Sequence, residues 1–299
     1  MKKVLITGSY GFIASNIIDK LNLRSDVRIF SIGTNTKKLN KKFNTYKHLE
    51  SKINLENLEI LCDSTPDVIL HCAGVGTVNQ GSSSYLSNES TLYTSKEVCK
   101  FAKKHKVKKV IFLSSAAVYG NSFDDKKYRI KPISNYGKLK TKCEKMFQSL
   151  DGTTSIILRL FSVYGPNMKK QLIYDAFENF LHKKKPIFRG TGDQIRDFIH
   201  IIDVINVIEH FVFENKSRDN IIQDVGTGVG TKIKSLIEMI SMEYFKHSKY
   251  KKSFDFDNKS LSNDPKVLIA NNDQVYYSPI KFIKINDGVI EYAREFYNQ

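Results

Sequence analysis

Tyr136 and Lys140 are the side chains in this sequence whose types and spacing best suit proton transfer. They are four residues apart, so a helix through residues 134–142 would place both on one face, one turn apart. A free phenol, with a pKa of about 10, is a poor acid–base catalyst at neutral pH, but a neighbouring ammonium favours the phenolate. Such a tyrosine can exchange a proton with an alcohol or carbonyl oxygen while hydride moves at the attached carbon.

Ser115 is a third residue placed for this chemistry. It ends the apolar run VIFLSS at residues 110–115, which predicts a buried strand. Ligands of open α/β sheets bind at the carboxyl ends of the strands, so a hydroxyl there can hydrogen-bond the same substrate oxygen as Tyr136. The alternative role for Ser114 and Ser115 is to cap the turn that follows, and we expect that role for Ser114.

The stretch KVLITGSYGFIASN, residues 3–16, interrupts a strand with two glycines and resumes as a helix. Gly8 permits the tight turn, Gly11 lets the backbone approach a phosphate group, and Ala14 is small enough for the helix to lie close to the sheet. Phosphates would bind at the helix N-terminus, where free N–H groups and the helix dipole favour negative charge. Because the glycines follow the first strand of a βαβ pattern, the stretch predicts a dinucleotide site. In such a site Lys140 can also bind the nicotinamide ribose.

The end of the second strand bears on which dinucleotide binds. An NAD site usually has an acidic residue there, which binds the ribose hydroxyls. The corresponding stretch, FSIGTNTKK at residues 30–38, contains no Asp or Glu, and polar side chains that suit a 2′-phosphate are Thr34, Asn35, Lys37 and Lys38. These residues also fit an ordinary polar loop. The sequence favours NADP(H), with NAD(H) as the alternative.

Apolar runs alternate with helix-length segments along the chain. The pattern predicts strands at residues 4–7, 27–32, 68–72, 110–114 and 155–160, and helices at residues 12–23, 91–105, 136–150, 170–182 and 203–214. Parallel strands need crossover connections, so the alternation predicts an α/β fold with a Rossmann-type, doubly wound parallel sheet. The regular alternation of apolar runs and helix-length segments changes after Gly165-Pro166. We predict a dinucleotide-binding domain at residues 1–165 and a smaller C-terminal α/β substrate domain at residues 166–299, with segments that cross the boundary.

Composition limits the classes of protein to which this chain can belong. It has 299 residues, a formal net charge of +16 and four cysteines. It has no apolar run of about 18 residues, so no membrane span is expected. The short apolar start is unlike a signal peptide, and the scattered cysteines indicate a cytoplasmic protein with reduced thiols and no metal site. Lysines spread along the chain favour a surface that attracts an anionic small ligand over a nucleic-acid binder.

Taken together, these residues resemble the extended short-chain dehydrogenase/reductase superfamily, in its nucleotide-sugar epimerase/dehydratase branch. The resemblance covers nearly the whole chain and runs, in order, through TGSYGFIAS, PDVILHCAG, Asn88, FLSSAAVYG, the pair Tyr136 and Lys140, LRLFSVYGP, GTGDQIRDFIHIIDV and DVGTG. It implies an NAD(P)-dependent enzyme that acts on a nucleotide-diphosphate sugar. The catalytic residues that it implies are Ser115, Tyr136 and Lys140.

The resemblance also assigns binding residues. It implies that the cofactor loop and cofactor cleft contain Gly8, Gly11, Phe12, Ile13, Ala73 and Gly74. Arg196, in IRDFIH, matches an arginine that contacts the phosphates of the sugar nucleotide, and an arginine fork suits a diphosphate better than a lysine does. The family usually has a second phosphate-binding arginine further on. This sequence has SNDPKV there, in which Lys266 is the nearby cation.

One departure from the family narrows the reaction. In its sugar 4,6-dehydratases an Asp-Glu pair follows the catalytic hydroxyl residue, whereas this sequence has Ala116 and Ala117, which cannot move protons. Dehydration is therefore not expected. Reduction of a nucleotide-linked 4-keto-6-deoxyhexose and 4-epimerisation with retained NAD remain. The sequence favours the reductase, in bacterial surface-polysaccharide precursor synthesis, because the missing ribose acid suits the NADPH on which biosynthetic reductions usually draw.

Two other classes of protein fit less of the sequence. A non-catalytic dinucleotide sensor would not need the tyrosine and lysine, and a nucleic-acid binder explains only the positive charge. Neither accounts for Ser115, Tyr136 and Lys140 together. The resemblance further implies a homodimer that pairs through the helices predicted at residues 91–105 and 136–150.

Overall fold

The computed structural model describes residues 1–35, 45–74, 84–121, 123–124, 127–183, 185–215, 220–246, 253–259, 264–273, 275–277 and 281–297, with the backbone alone at 84–88, 123–124 and 127. The strands are β1 (Lys2–Thr7), β2 (Val27–Gly33), β3 (Lys47–Glu50), β4 (Val68–His71), β5 (Lys109–Ser115), β6 (Phe123–Asp124), β7 (Lys127–Tyr128), β8 (Thr154–Leu160), β9 (Ser162–Tyr164), β10 (Ile187–Phe188), β11 (Ile195–His200), β12 (Ile221–Val225), β13 (Gly230–Lys232), β14 (Asp255–Phe256) and β15 (Val267–Leu268). The helices are α1 (Phe12–Leu21), α2 (Leu55–Leu61), α3 (Ser84–Lys104), α4 (Asn135–Gln148), α5 (Gln171–His182), α6 (Ile201–Phe213), α7 (Ile233–Tyr244) and α8 (Ile285–Tyr297), and a short 3-10 turn covers Ala116–Val118.

Across the described residues, seven strands form one parallel sheet in the order β3-β2-β1-β4-β5-β8-β12. The chain winds from β1 through β2 to β3 in one direction, and from β4 to β12 in the other. The strand order therefore reverses between β1 and β4, and ligands of such sheets bind at the carboxyl ends of the strands beside this switch point. The predicted Rossmann-type fold is confirmed.

Both faces of this sheet are buried. Val4 and Ile6 lie in one hydrophobic core with residues of α1 and α6, while Leu5 lies in a second core with residues of α2, α3 and α4. Because successive side chains of a strand point to opposite faces, β1 is apolar without alternation.

The chain after β8 builds a smaller lobe. There β11 pairs with β9, β13 and β15, and α5, α7 and α8 pack with them around a third core that includes Phe177, Ile237 and Tyr292. Phe12, the first residue of α1, packs against both this core and the core on the α1 face of the sheet. The first helix therefore starts where the two lobes meet.

Two elements beyond residue 165 pack with the first lobe, one of them as a strand of the large sheet. The strand β12 pairs with β8, with Ile221 opposite Ile156, and α6 packs on α1. The chain thus returns to the sheet and leaves it again. The domain boundary at residue 165 stays a prediction.

The observed elements lie within a few residues of most predicted ones, but β3, α2, α7, α8 and the position of β12 in the sheet are among the features that are not predicted. The sequence of β3 is KHLE, an edge strand with two exposed and two half-buried residues, so it lacks an apolar run. Local periodicity cannot reveal that β12 pairs with β8. None of the helices in the described ranges combines the length and hydropathy that crossing a bilayer requires.

Candidate active site

The glycine loop after β1 closes against the end of β4. Gly8 has a φ of +75°, and a Cβ on this residue would lie 2.8 Å from the backbone N and Cα of Ala73. Both the turn and the close approach therefore require glycine. The N–H of Gly8 donates to the carbonyl of Ile32 at 2.8 Å, which anchors the loop to β2. The structure brings Gly8 and Ala73 together at the switch point of the sheet.

The helix α1 begins directly after this loop. Its N-cap residue, Gly11, has an extended backbone and provides no side-chain cap, so the first-turn N–H groups are available to an anion. Ala14 is buried, which lets the helix lie close to the sheet. Phe12 and Ile13 are half-buried and pack against the cores, so their side chains contribute apolar surface beside the loop.

The helix α4 holds Tyr136 near the carboxyl end of β5. Ser134 caps the helix, its Oγ accepting the N–H of Gly137 at 3.0 Å. Gly137 lies so close to the carbonyl oxygen of Ala117 that any side chain there would clash. This contact presses the first turn of α4 against the turn that follows Ser115. The predicted helix through the tyrosine and the lysine is confirmed.

Lys140 is buried, and its ammonium has a defined position. Its Nζ donates to the carbonyl of Leu113 at 2.8 Å and lies 5.8 Å from the ring centroid of Tyr136. A Cβ on Gly74 would lie 3.5 Å from the same Nζ. Leu113 is two residues before Ser115 on β5. The structure therefore gathers the predicted lysine, tyrosine and cleft glycine at the end of β5.

The two serines at the end of β5 have different partners. The Oγ of Ser115 accepts the N–H of Ala117 at 3.2 Å, which caps the short turn and leaves the hydroxyl proton for donation. Ser114 is buried and donates to Oε1 of Glu144 on α4 at 2.5 Å. The prediction that Ser114 caps the turn is therefore wrong, because strand alternation points its side chain to the face covered by α4.

His71 is a buried residue of the site that no sequence pattern singles out. Its Nδ1 lies 2.7 Å from Oγ1 of Thr7, and its Nε2 lies 3.1 Å from Oγ of Ser95. Burial, with a smaller contribution from the Lys140 ammonium, lowers the pKa of His71 to about 3, so the ring is neutral at physiological pH. A neutral imidazole thus links β1, β4 and α3 close to Lys140. The available signal is a histidine within the apolar run VILHC.

Arg196 and Lys266, the predicted phosphate-binding cations, lie in paired segments of the smaller lobe. Nη2 of Arg196 donates to Oδ1 of Asp264 at 2.5 Å, and Nη1 donates to the carbonyl of Ile195 at 2.8 Å. The N–H of Lys266 donates to Oδ1 of Asn121 at 3.1 Å, which ties this segment to the chain after β5, and the Lys266 side chain is exposed. Arg196 is therefore already paired with a carboxylate, that of Asp264, which the sequence around Arg196 does not reveal.

Asp197 fixes the backbone next to Arg196. Its buried carboxylate accepts the N–H and Oγ1–H of Thr227 at 2.9 and 2.6 Å, the N–H of Gly228 at 2.8 Å and the N–H of Ala270 at 3.1 Å. Burial raises the pKa of Asp197, and these hydrogen bonds oppose the rise. The carboxylate joins β11 to the DVGTG turn and to the segment after β15, so the Arg196 side chain starts from a fixed point.

The cofactor roles of the polar residues after β2 stay predictions. Thr34 is exposed and Asn35 is half-buried just after β2. Lys37 and Lys38 lie outside the described residues, and so does the side chain of Asn88.

Sequence comparison places the chain among known proteins. The profile of the NAD dependent epimerase/dehydratase family matches residues 4–225. An ADP-L-glycero-D-manno-heptose-6-epimerase of Brachyspira hyodysenteriae is 28% identical over 97% of this chain and 96% of its own length. A putative UDP-glucose 4-epimerase of Methanocaldococcus jannaschii is 30% identical over 80% of this chain and 82% of its own length.

Solved structures share the whole fold. A UDP-N-acetylglucosamine 4-epimerase from Methanobrevibacter ruminantium, in complex with UDP-N-acetylmuramic acid, superposes with a TM-score of 0.82 at 23% identity over 99% of this chain and 98% of its own. A UDP-glucuronic acid 4-epimerase from Bacillus cereus, in complex with UDP-glucuronic acid and NAD, also has a TM-score of 0.82 and 23% identity, over 99% of both chains. At these identities the likeness is one of fold. With the family profile matching most of the sequence, the chain belongs to the NAD-dependent epimerase/dehydratase family of enzymes.

Proposed function

We propose that this enzyme epimerises a nucleotide-diphosphate sugar at C4, removing a hydride and returning it to the other face of the same carbon. The observation that carries the proposal is the gathering of Tyr136, Lys140 and Gly74 at the end of β5. One relative supports the choice of reaction, since the similar protein from Methanocaldococcus jannaschii is a putative UDP-glucose 4-epimerase.

The residues around the switch point fit a dinucleotide. Gly8 has no Cβ, so the loop can approach a ligand closely. The N-terminus of α1 has no side-chain cap, so its N–H groups are available to a pyrophosphate. Lys140, beside Gly74, is placed to hold ribose hydroxyls. When bound there, the nicotinamide ring supplies the acceptor and donor of hydride.

In the proposed reaction the phenolate of Tyr136 takes the proton of the C4 hydroxyl as hydride leaves C4, which gives a 4-keto sugar. After this sugar turns over, hydride returns to the other face of C4 and the phenol of Tyr136 returns the proton to the oxygen. Ser115 donates a hydrogen bond to the same oxygen and so orients it. The ammonium of Lys140, held by the carbonyl of Leu113, stabilises the negative charge of the phenolate electrostatically. Arg196 and Lys266 bind the diphosphate of the substrate and hold the sugar in place.

The turn after β5 argues against dehydration. Ala116 and Ala117 are both buried there, and neither side chain can transfer a proton. An enzyme with this turn has acid–base chemistry at C4 through Tyr136, without a second acid–base pair for the loss of water.

Reduction of a nucleotide-linked 4-keto-6-deoxyhexose uses the same residues and stays a prediction from the sequence. The NADP(H) preference, the role in surface-polysaccharide synthesis, the cytoplasmic location and the homodimer through α3 and α4 also stay predictions. The two reactions differ in whether hydride returns to the sugar that gave it. Which dinucleotide binds depends on the residues beside Gly33.

The reaction can be tested by incubating the purified protein with UDP-hexoses, or with 4-keto sugar nucleotides and reduced dinucleotide. Absorbance of the reduced nicotinamide is followed while the sugar products are separated. An epimerase interconverts the C4 epimers with no net change in absorbance. A stoichiometric loss of absorbance with a 4-keto substrate identifies a reductase and overturns the proposed net reaction.

The role of the phenol is tested by Tyr136→Phe. We expect turnover to fall by about 10²–10⁴-fold, the usual contribution of a general acid–base group, while dinucleotide binding is retained. Tyr93→Phe, at an exposed tyrosine of α3, is the matched control and should leave turnover unchanged. Near-normal turnover of Tyr136→Phe would contradict the mechanism.

A further inference from the structure

Gly33 is the last residue of β2, where an NAD site usually has an acidic side chain. A Cβ on Gly33 would lie 2.7 Å from Oγ of Ser9, 3.0 Å from N of Ser9 and 3.3 Å from Cδ2 of Tyr10. The glycine loop therefore fills the space into which an Asp or Glu side chain would project. An acid at this position would require Ser9 to shift.

Glu50 brings a carboxylate to the same region from the neighbouring strand. It pairs in register with Gly33 in the parallel ladder of β2 and β3, and the N–H of Ser51 donates to the carbonyl of Gly33 at 3.2 Å. The hydroxyl of Tyr10 donates to Oε2 of Glu50 at 2.8 Å. Because the ring of Tyr10 lies beside Gly33, this hydrogen bond holds the carboxylate near the end of β2.

The two aromatic neighbours of Glu50 are themselves uncharged at physiological pH. Burial, with the hydrogen bond to Glu50, raises the pKa of Tyr10 to about 12, so the phenol stays a neutral donor. The ring of His48 packs edge-on against Tyr10 with centroids 5.6 Å apart, and its Nδ1 lies 2.7 Å from Oγ of Ser31. Burial lowers the pKa of His48, which favours the neutral ring at physiological pH. Neither aromatic neighbour therefore places a positive charge beside the Glu50 carboxylate.

We infer that Glu50, positioned by Tyr10, selects NAD(H) over NADP(H), supplying from β3 the carboxylate that β2 lacks. A carboxylate accepts hydrogen bonds from ribose hydroxyls, whereas it repels a 2′-phosphate, which carries between one and two negative charges. The inference rests on the dinucleotide site of the proposed function. It opposes the NADP(H) preference predicted from residues 30–38, where Lys37 and Lys38 lie outside the described residues.

The preference is measured by titrating NADH and NADPH separately into the wild-type protein and into Glu50→Gln, with nicotinamide fluorescence as the signal. We expect the wild type to bind NADH at least about tenfold more tightly than NADPH, and Glu50→Gln to reduce that ratio about fivefold or more through tighter NADPH binding. Added salt screens the repulsion, so it should reduce the ratio in the wild type more than in Glu50→Gln.

Two further variants separate the roles. Tyr10→Phe keeps the ring but loses the hydroxyl that orients Glu50, so it should reduce the ratio by less than Glu50→Gln does. Glu56→Gln, at an exposed glutamate of α2, is the matched control and should leave the ratio unchanged. Unfolding temperatures of all variants are compared, because a change in the ratio at constant unfolding temperature reflects binding.

The outcomes distinguish the inference from the proposed function. NADPH binding as tight as NADH binding in the wild type, or an unchanged ratio in Glu50→Gln, overturns the inference and leaves the proposed function in place. Binding of neither dinucleotide overturns both.

Discussion

Two of the arginine–carboxylate pairs in the described part of the chain differ in geometry and exposure. Arg159 of β8 and Glu144 of α4 are joined by two hydrogen bonds, from Nε at 3.0 Å and Nη2 at 2.7 Å, and their side chains are 9% and 4% exposed. Arg196 and Asp264 are joined by one hydrogen bond at 2.5 Å, and their side chains are 11% and 28% exposed. The first pair is closed, in the sense that both side chains are buried and doubly hydrogen-bonded. In the second pair the Asp264 carboxylate is partly exposed, which fits the proposal that a substrate diphosphate replaces it as the partner of Arg196.

The closed pair belongs to a buried network. Ser114 also donates to Glu144, and Nη1 of Arg159 donates to the hydroxyl of Tyr119 at 3.0 Å, which in turn donates to Asp224 at 2.6 Å. The buried charges are thus hydrogen-bonded, as their desolvation requires. Because Glu144 lies on the same face of α4 as the tyrosine and lysine of the site, the network also fixes the orientation of that helix. From this contrast we expect an arginine to serve structure or binding according to how completely its hydrogen-bond partners satisfy it.

The largest effect is expected from Glu144→Ala, which leaves Arg159 buried and unpaired. The free energy of unfolding should fall by about 3–5 kcal/mol, the usual result of breaking a buried pair from one side. Urea denaturation at neutral pH measures this change. A loss below about 1 kcal/mol would mean that water or a rearranged side chain satisfies Arg159, and the pair would not be closed in the sense described.

A double variant provides the control for this prediction. Glu144→Leu combined with Arg159→Met removes both charges and keeps apolar volume, so it should destabilise the protein less than Glu144→Ala does. A larger loss in the double variant would attribute the effect to packing of α4 rather than to an unpaired charge.

An intermediate effect, on binding rather than stability, is expected from Arg196→Ala. The KM for the nucleotide sugar should rise about 10–100-fold, as expected for the loss of charge-assisted hydrogen bonds to a diphosphate, while dinucleotide affinity stays constant. The free energy of unfolding should change by no more than about 1 kcal/mol. Arg189→Ala, at an exposed arginine of the same lobe, is the matched control for steady-state kinetics. An unchanged KM in Arg196→Ala would remove this arginine from the substrate site.

The smallest effect is expected from Asp264→Asn. Removing the competing carboxylate charge frees the guanidinium of Arg196, so the KM should fall, by about two- to fivefold for a partly exposed pair. Steady-state kinetics at low ionic strength would detect this. A rise in KM would instead show that Asp264 orients Arg196 for the substrate rather than competing with it.

The parts of the structure that depend on local sequence are predictable. The turn at Gly8, the start of α1 and the placement of Tyr136 and Lys140 on one helix each follow from the spacing of a few neighbouring residues. The alternation of apolar runs with helix-length segments likewise suffices for the Rossmann-type sheet, because parallel strands require crossovers.

The parts that depend on distant residues are not predictable in this way. Arg196 and Asp264 are 68 residues apart, and their hydrogen bond cannot be inferred from either segment alone. The carboxylate of Glu50 stands near Gly33 only because β3 pairs with β2, and β3 has no strand signal of its own. Ser114 and Ser115 are adjacent in sequence, yet strand alternation gives them different partners.

The return of α6 and β12 to the large sheet has a practical consequence. A fragment that ends at residue 165 would lack both, so the backbone groups of β8 that pair with β12 would be left open along a sheet margin. The apolar side of α1 that α6 covers would also face water. The exposed edge of β8 would then favour self-association of the fragment. A fragment designed to stay soluble and bind a dinucleotide would have to retain residues up to the end of β12 at Val225.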